Sequence, residues 1–133
     1  MDISKTYDLP FAASVVFAAW VSPRSVISPA TRIEVDPRPG GKMRVFVDHP
    51  GGTDSTNGNF LEFVTNERLR YTWEWNNDGE ETEITVDFGK TDIGTRIILT
   101  HIGFQKDTSR DMHDAGWDSY VAGLTELLQS SED

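Results

Sequence analysis

Ser109-Arg110-Asp111-Met112-His113-Asp114-Ala115-Gly116-Trp117-Asp118-Ser119-Tyr120-Val121-Ala122-Gly123-Leu124-Thr125-Glu126-Leu127-Leu128-Gln129 is the stretch whose reading decides the fold. His113, Trp117, Tyr120, Val121, Leu124, Leu127 and Leu128 recur at three- and four-residue intervals, which places them on one face of an α-helix. Asp114, Asp118, Thr125 and Glu126 lie largely off that face. Thr108 or Ser109 is placed to cap the first turn, and Asp111 suits the positive end of the helix dipole. The helix would be roughly 30 Å long. Gly116 and Gly123 stand one heptad apart, and each costs about 1 kcal/mol relative to Ala, so both predict a close approach to the sheet or to a bulky aromatic.

Working outward from this helix, nearly everything upstream alternates with period two. Strands are expected over 3–9, 31–36, 42–48, 56–65, 69–75, 83–88 and 95–102. The cleanest puts Leu69, Tyr71, Trp73 and Trp75 on one face and Arg70, Thr72 and Glu74 on the other. Asn76-Asn77-Asp78-Gly79 marks a hairpin. Between the first and second strands, Ala12–Val21 reads as a short, densely apolar helix, and Pro23–Ile27 as a second short helix or turn ended by Pro29. The pattern predicts an α+β fold over 1–133 as one domain: a curved antiparallel sheet of about seven strands around a long C-terminal helix, with two short helices after the first strand. A straight helix cannot fill the whole concavity of a twisted sheet, so a cavity is expected between them.

Composition narrows the function. Apolar residues make up 37% and aromatics 11%, as in an ordinary globular chain. The net charge of −10, with no Lys/Arg cluster, argues against nucleic acid and anionic membrane surfaces as partners. There is no cysteine, hence no disulfide and no thiol chemistry. The acidic N-terminus lacks a signal-peptide core and no apolar run is long enough to span a membrane, so a cytoplasmic location is expected. No His-Glu-x-x-His spacing, Gly-x-Ser-x-Gly elbow or phosphate loop is present, so neither a metal nor another cofactor is expected.

The candidate site residues are aromatics and histidines. Tyr71, Trp73, Trp75, Trp117, Tyr120, Phe60 and Phe104 can line a cavity or fill the core. His101 and His113 fall on the apolar faces of the last strand and the helix, where they form either a proton-transfer or ligand-orienting pair, or two structural histidines. Glu62 marks a site if it faces inward beside Phe60, and is a surface residue if Leu61 and Phe63 face inward instead. His49, before Pro50, belongs to an exposed turn.

Several short stretches carry a family resemblance: Val16-Phe17-Ala18-Ala19-Trp20-Val21-Ser22-Pro23, Gly40-Gly41-Lys42-Met43-Arg44, Gly58-Asn59-Phe60-Leu61-Glu62, Glu67-Arg68-Leu69-Arg70-Tyr71-Thr72-Trp73, Gly94-Thr95-Arg96, Thr100-His101-Ile102-Gly103-Phe104 and Gly116-Trp117. In these, and in their order along the chain, the sequence resembles the START/Bet v 1-like (SRPBCC) superfamily, and within it the group named after the activator of Hsp90 ATPase. Where many members have a Trp after the second short helix, this chain reads Val26-Ile27-Ser28-Pro29. The resemblance implies a helix-grip fold whose cavity takes a hydrophobic small molecule. It leaves two alternatives: a polyketide cyclase- or hydrolase-like enzyme using His101, His113 or Glu62, and a co-chaperone-like interaction domain. Many relatives form homodimers.

Overall fold

The computed structural model describes residues 2–132. The chain runs β1 (Ile3–Leu9), α1 (Ala13–Trp20), β2 (Arg32–Val35), β3 (Met43–His49), β4 (Gly52–Asn57), β5 (Phe60–Val64), β6 (Arg68–Trp75), β7 (Thr82–Lys90), β8 (Thr95–Ile102) and α2 (Asp107–Glu132). All strand pairs are antiparallel, in the order β1-β8-β7-β6-β4-β3-β2, with β5 also paired to β6. The first strand thus closes the sheet against the last, and α1 and α2 lie on one face. This is the expected helix-grip architecture.

The expected fourth strand is split in two at Gly58-Asn59, giving eight strands. A side chain at Gly58 would collide with the carbonyl of Thr72, so the crossing of β3, β6 and the bent strand admits only glycine. A bulge follows at once. Phe60 pairs with Tyr71 but Glu62 pairs with Arg70, so Leu61 is the extra residue. Phe60 and Phe63 therefore both face the core, with their rings 5.2 Å apart, while Leu61 is exposed.

The expected second short helix does not form. Residues 22–30 make two separate turns, closed by Ser25 N–H to Ser22 O and Ala30 N–H to Ile27 O. The segment between the two prolines is too short to offset helix nucleation, and Pro29 disfavours helical geometry at Ser28. Ile27 instead packs on α2, where Gly123 leaves room for it.

The core lies under α1 and the C-terminal half of α2. One row across the sheet, Phe60, Tyr71, Ile84, His101 and Ile3, is buried throughout. Val121, Leu124 and Leu128 of α2 and Val16, Phe17 and Trp20 of α1 close over this half. The opposite face of the sheet carries a charged ladder in which Arg68 and Arg70 bridge Glu62, Glu83 and Asp87 at 2.7–3.1 Å.

The start of α2 is fixed from outside the helix. Glu80, buried in the β6–β7 loop, accepts hydrogen bonds from the Gln105 and Lys106 N–H groups and from the Ser109 hydroxyl. It replaces the local cap expected at Thr108 or Ser109, and α2 begins two residues earlier than Ser109, at Asp107. Burial raises the Glu80 pKa, but these donors and the Lys106 charge more than offset it, holding the carboxyl below its usual range.

Candidate ligand-binding cavity

A cavity of about 430 Å³ lies between the N-terminal half of α2, residues 25–30, and the inner faces of β2, β3 and β6. It exists because the sheet reaches further than the helices cover. Along β6, Leu69 and Tyr71 are buried in the core, whereas Trp73 and Trp75, next on the same face, are only partly covered. Met43, Val45 and Val47 of β3 and Ile33 of β2 continue the floor. Ser28, Pro29, Met112 and Ser119 are exposed and form the rim. Among the described residues, none of those lining the cavity carries a formal charge with the histidine neutral. The volume suits a drug-sized apolar ligand.

His113 organises the α2 side of the cavity. Its Nδ1–H donates to the Ser109 carbonyl at 2.8 Å, one turn back on the helix. Its Nε2 then accepts from two indoles, Trp73 Nε1–H at 3.1 Å and Trp75 Nε1–H at 3.0 Å. The imidazole lone pair is wholly committed to fixing two tryptophans of the floor, whose rings stand edge to face at 5.8 Å.

His101 sits behind this layer with no exposed surface. Its Nε2–H donates to the Thr82 hydroxyl at 2.6 Å, which in turn donates to the Trp73 carbonyl. Its Nδ1 accepts from Trp117 Nε1–H at 3.1 Å. Burial, and secondarily the neighbouring His113, lower its pKa from 6.5 to about 3. His101 is therefore neutral near pH 7 and has no free ring nitrogen.

Trp20, from the end of α1, joins the floor to the helix. It stacks on Trp117 at 6.0 Å, meets Tyr120 edge to face at 5.0 Å, and donates its Nε1–H to the Tyr71 hydroxyl at 3.2 Å. Burial raises the pKa of Tyr71 and of Tyr120, and Tyr120 is raised further by Tyr71. Gly116 also faces the cavity, and a Cβ there meets nothing within 4 Å. Of the two helix glycines, a close approach is found at Gly123 alone, and there the neighbour is Ile27 of the 22–30 segment rather than the expected sheet or aromatic ring. Gly116 leaves space.

Of the expected site residues, the fold brings Tyr71, Trp73, Trp75, His113, Trp117 and Tyr120 to the cavity. His101 and Phe104 pack against each other at 4.4 Å, in the layer behind it. Phe60 is core. Glu62 lies on the opposite face of the sheet, where Arg70 and Arg68 hydrogen-bond it and hold its pKa below the usual carboxylate range. The bulge at Leu61 is the reason: it lets Phe60 and Phe63 both point inward and turns Glu62 out. Sequence reasoning did not include Trp20, Ser25, the 27–30 segment, or the β3 residues. The alternation of Met43, Val45 and Val47 was the available signal for the β3 residues. Among the described residues, no three His, Cys, Asp or Glu side chains are grouped to hold a metal ion. No helix among them is long and apolar enough to cross a membrane.

The family model described as activator of Hsp90 ATPase homolog 1-like protein matches residues 10–129. No curated protein matches the sequence. Similar solved structures include protein MLL2253 from Mesorhizobium loti, with a TM-score of 0.84 at 17% identity, covering 98% of each chain. The AHSA1 protein SPO3351 from Silicibacter pomeroyi gives 0.78 at 20% identity, covering 98% of this chain and 99% of that one. DynU16, from the dynemicin biosynthetic locus, gives 0.83 at 18% identity, over 98% of this chain and 48% of its own. At these identities the structural likeness carries the fold, and the family match over 10–129 carries the membership. The chain belongs to the family of activator of Hsp90 ATPase homolog 1-like proteins.

Proposed function

We propose that this protein binds an apolar, aromatic or polycyclic small molecule in the cavity between α2 and the sheet, and holds it without transforming it. The observation that carries this reading is the wall itself. It is made mainly of indole, phenol and aliphatic side chains with three serine hydroxyls and no Asp, Glu, Lys or Arg, and its histidine has no free lone pair. General acid–base chemistry needs a proton acceptor within reach of the substrate. His113 and His101 are saturated by protein partners, and Glu62 is across the sheet. These contacts favour the receptor reading over the cyclase- or hydrolase-like alternative, whose candidate residues are His101, His113 and Glu62. The family's fold and the likeness to a protein from a biosynthetic locus support a small-molecule role.

The test is a screen of fatty acids, flavonoids, steroids and polycyclic aromatics. The readouts are tryptophan fluorescence and melting temperature. Six side chains with indole or phenol groups line the cavity, Trp20, Tyr71, Trp73, Trp75, Trp117 and Tyr120, and should report occupancy directly. A ligand that binds only the folded state raises the melting temperature by mass action. If no class changes either readout, the binding reading fails and the interaction-domain reading takes its place. A cytoplasmic location and a homodimer joined at the free edge of β2 belong to the same proposal; fractionation and light scattering test them.

A further inference from the structure

The cavity is not uniformly apolar. Tyr71 is 1% exposed, lies on the wall, and its hydroxyl oxygen already accepts the Trp20 indole N–H. Among the described residues its own hydroxyl proton has no acceptor. Tyr120, on the facing helix, also lies on the wall; its hydroxyl makes no hydrogen bond with any described residue and is not sealed inside the protein. Two phenol O–H groups thus stand beside Trp20 in one region of a chamber whose other polar side chains are the hydroxyls of Ser25, Ser28 and Ser119 and the already engaged imidazole of His113.

Resting on the binding reading above, we propose that this pair recognises an uncharged hydrogen-bond acceptor on the ligand, a ketone-type carbonyl oxygen, and discriminates against carboxylates. The donor role follows from the partners. With its oxygen engaged by Trp20, Tyr71 offers its proton. Burial raises both phenol pKa values, so the two groups remain protonated donors through the physiological range. The discrimination against anions follows from what is missing on the wall. No Lys or Arg lines the cavity, and the whole chain carries a net charge of −10. Burying a carboxylate without a counter-charge is costly, whereas a carbonyl oxygen needs only the hydrogen bonds on offer. Phenols aimed at a carbonyl also stabilise an enolate, but the one imidazole that faces the cavity, His113, has its lone pair engaged by Trp73 and Trp75, which favours a receptor.

Three probes with one skeleton separate these terms: acetylnaphthalene, ethylnaphthalene and naphthoate, titrated calorimetrically at neutral pH into the wild type, Tyr120→Phe and Tyr71→Phe. Acetylnaphthalene should bind tightest, about fivefold or more above ethylnaphthalene, the worth of one neutral hydrogen bond. Naphthoate should bind weakest. Tyr120→Phe should bring acetylnaphthalene down to the ethylnaphthalene level and leave ethylnaphthalene unchanged. If Tyr71→Phe does not fold, the wild-type ranking and Tyr120→Phe still decide. Equal binding of the ketone and the hydrocarbon overturns the inference while leaving the binding reading intact. So does naphthoate binding tightest, or a Tyr120→Phe loss that is the same for the ketone and the hydrocarbon. Failure of all three probes to bind overturns both.

Discussion

The two glycines of α2 make a matched pair of perturbations with opposite expected signs. Replacing a helix-interior glycine by alanine stabilises by about 1 kcal/mol when the methyl is accommodated. At Gly116 the new Cβ meets nothing within 4 Å, so Gly116→Ala should gain nearly all of that, a rise of about 3 °C in melting temperature for a domain of this size. At Gly123 the new Cβ falls well inside contact distance of Ile27 Cγ2, with Ile27 Cβ and Cγ1 at 3.6 Å. Ile27 would have to retreat by about 1 Å to restore a normal carbon–carbon separation. Overpacking of this kind costs about 1–3 kcal/mol and more than offsets the gain in helix propensity. Gly123→Ala should therefore be less stable than Gly116→Ala by about 1–3 kcal/mol, and Ile27→Ala should relieve much of the difference. Urea denaturation of the three variants and the double variant measures this. If Gly123→Ala is as stabilising as Gly116→Ala, then Ile27 does not press on α2, and the seating of the 25–30 segment at the cavity mouth is wrong.

Three further outcomes follow from the same contacts. Trp117→Ala removes a buried ring hydrogen-bonded to His101 and should cost about 3–5 kcal/mol, whereas Trp73→Ala, on the cavity wall, should cost about 1–2 kcal/mol in denaturation while weakening ligand binding. Glu80→Ala uncaps α2 and should cost about 1–3 kcal/mol, with faster amide exchange in the first turn of the helix. His101 has a folded pKa of about 3 against an ordinary 6.5, so the unfolded chain binds more protons between those values and stability falls with falling pH. The loss should reach about 2 kcal/mol between pH 7 and pH 5, above the range where most carboxylates titrate, and His101→Gln should flatten it.

The order and faces of the major elements could be read directly, because period two on β6 and period three to four on α2 are each set by one-sided burial. The aromatic wall was legible for the same reason: Tyr71, Trp73 and Trp75 share a strand face and Trp117 and Tyr120 a helix face. What stayed hidden depended on contacts between distant segments. Glu62 reads as ambiguous until the bulge at Leu61 is placed, and that bulge is a property of the β5–β6 pair. Gly58 marks the break in the fourth strand only because the Thr72 carbonyl presses on it. Glu80 caps a helix 27 residues downstream, which no local capping signal records. The two histidines could be placed on facing surfaces, but their saturation by Thr82, Ser109 and three indoles decides their role, and those partners come from β6, β7 and α2.

The most direct test of a cavity receptor is the two-dimensional amide and indole NMR spectrum of the protein during titration with a neutral aromatic ketone. The indole N–H signals of Trp73 and Trp75 and the amides of Ser28, Gly116 and Tyr120 should shift together and saturate, since these residues surround one chamber. The amides of Glu62, Arg70 and Asp87, on the far side of the sheet, should stay in place. Shifts confined to that outer face, or a spectrum unchanged at saturating ligand, would contradict the claim that the space between α2 and the sheet is where this protein works.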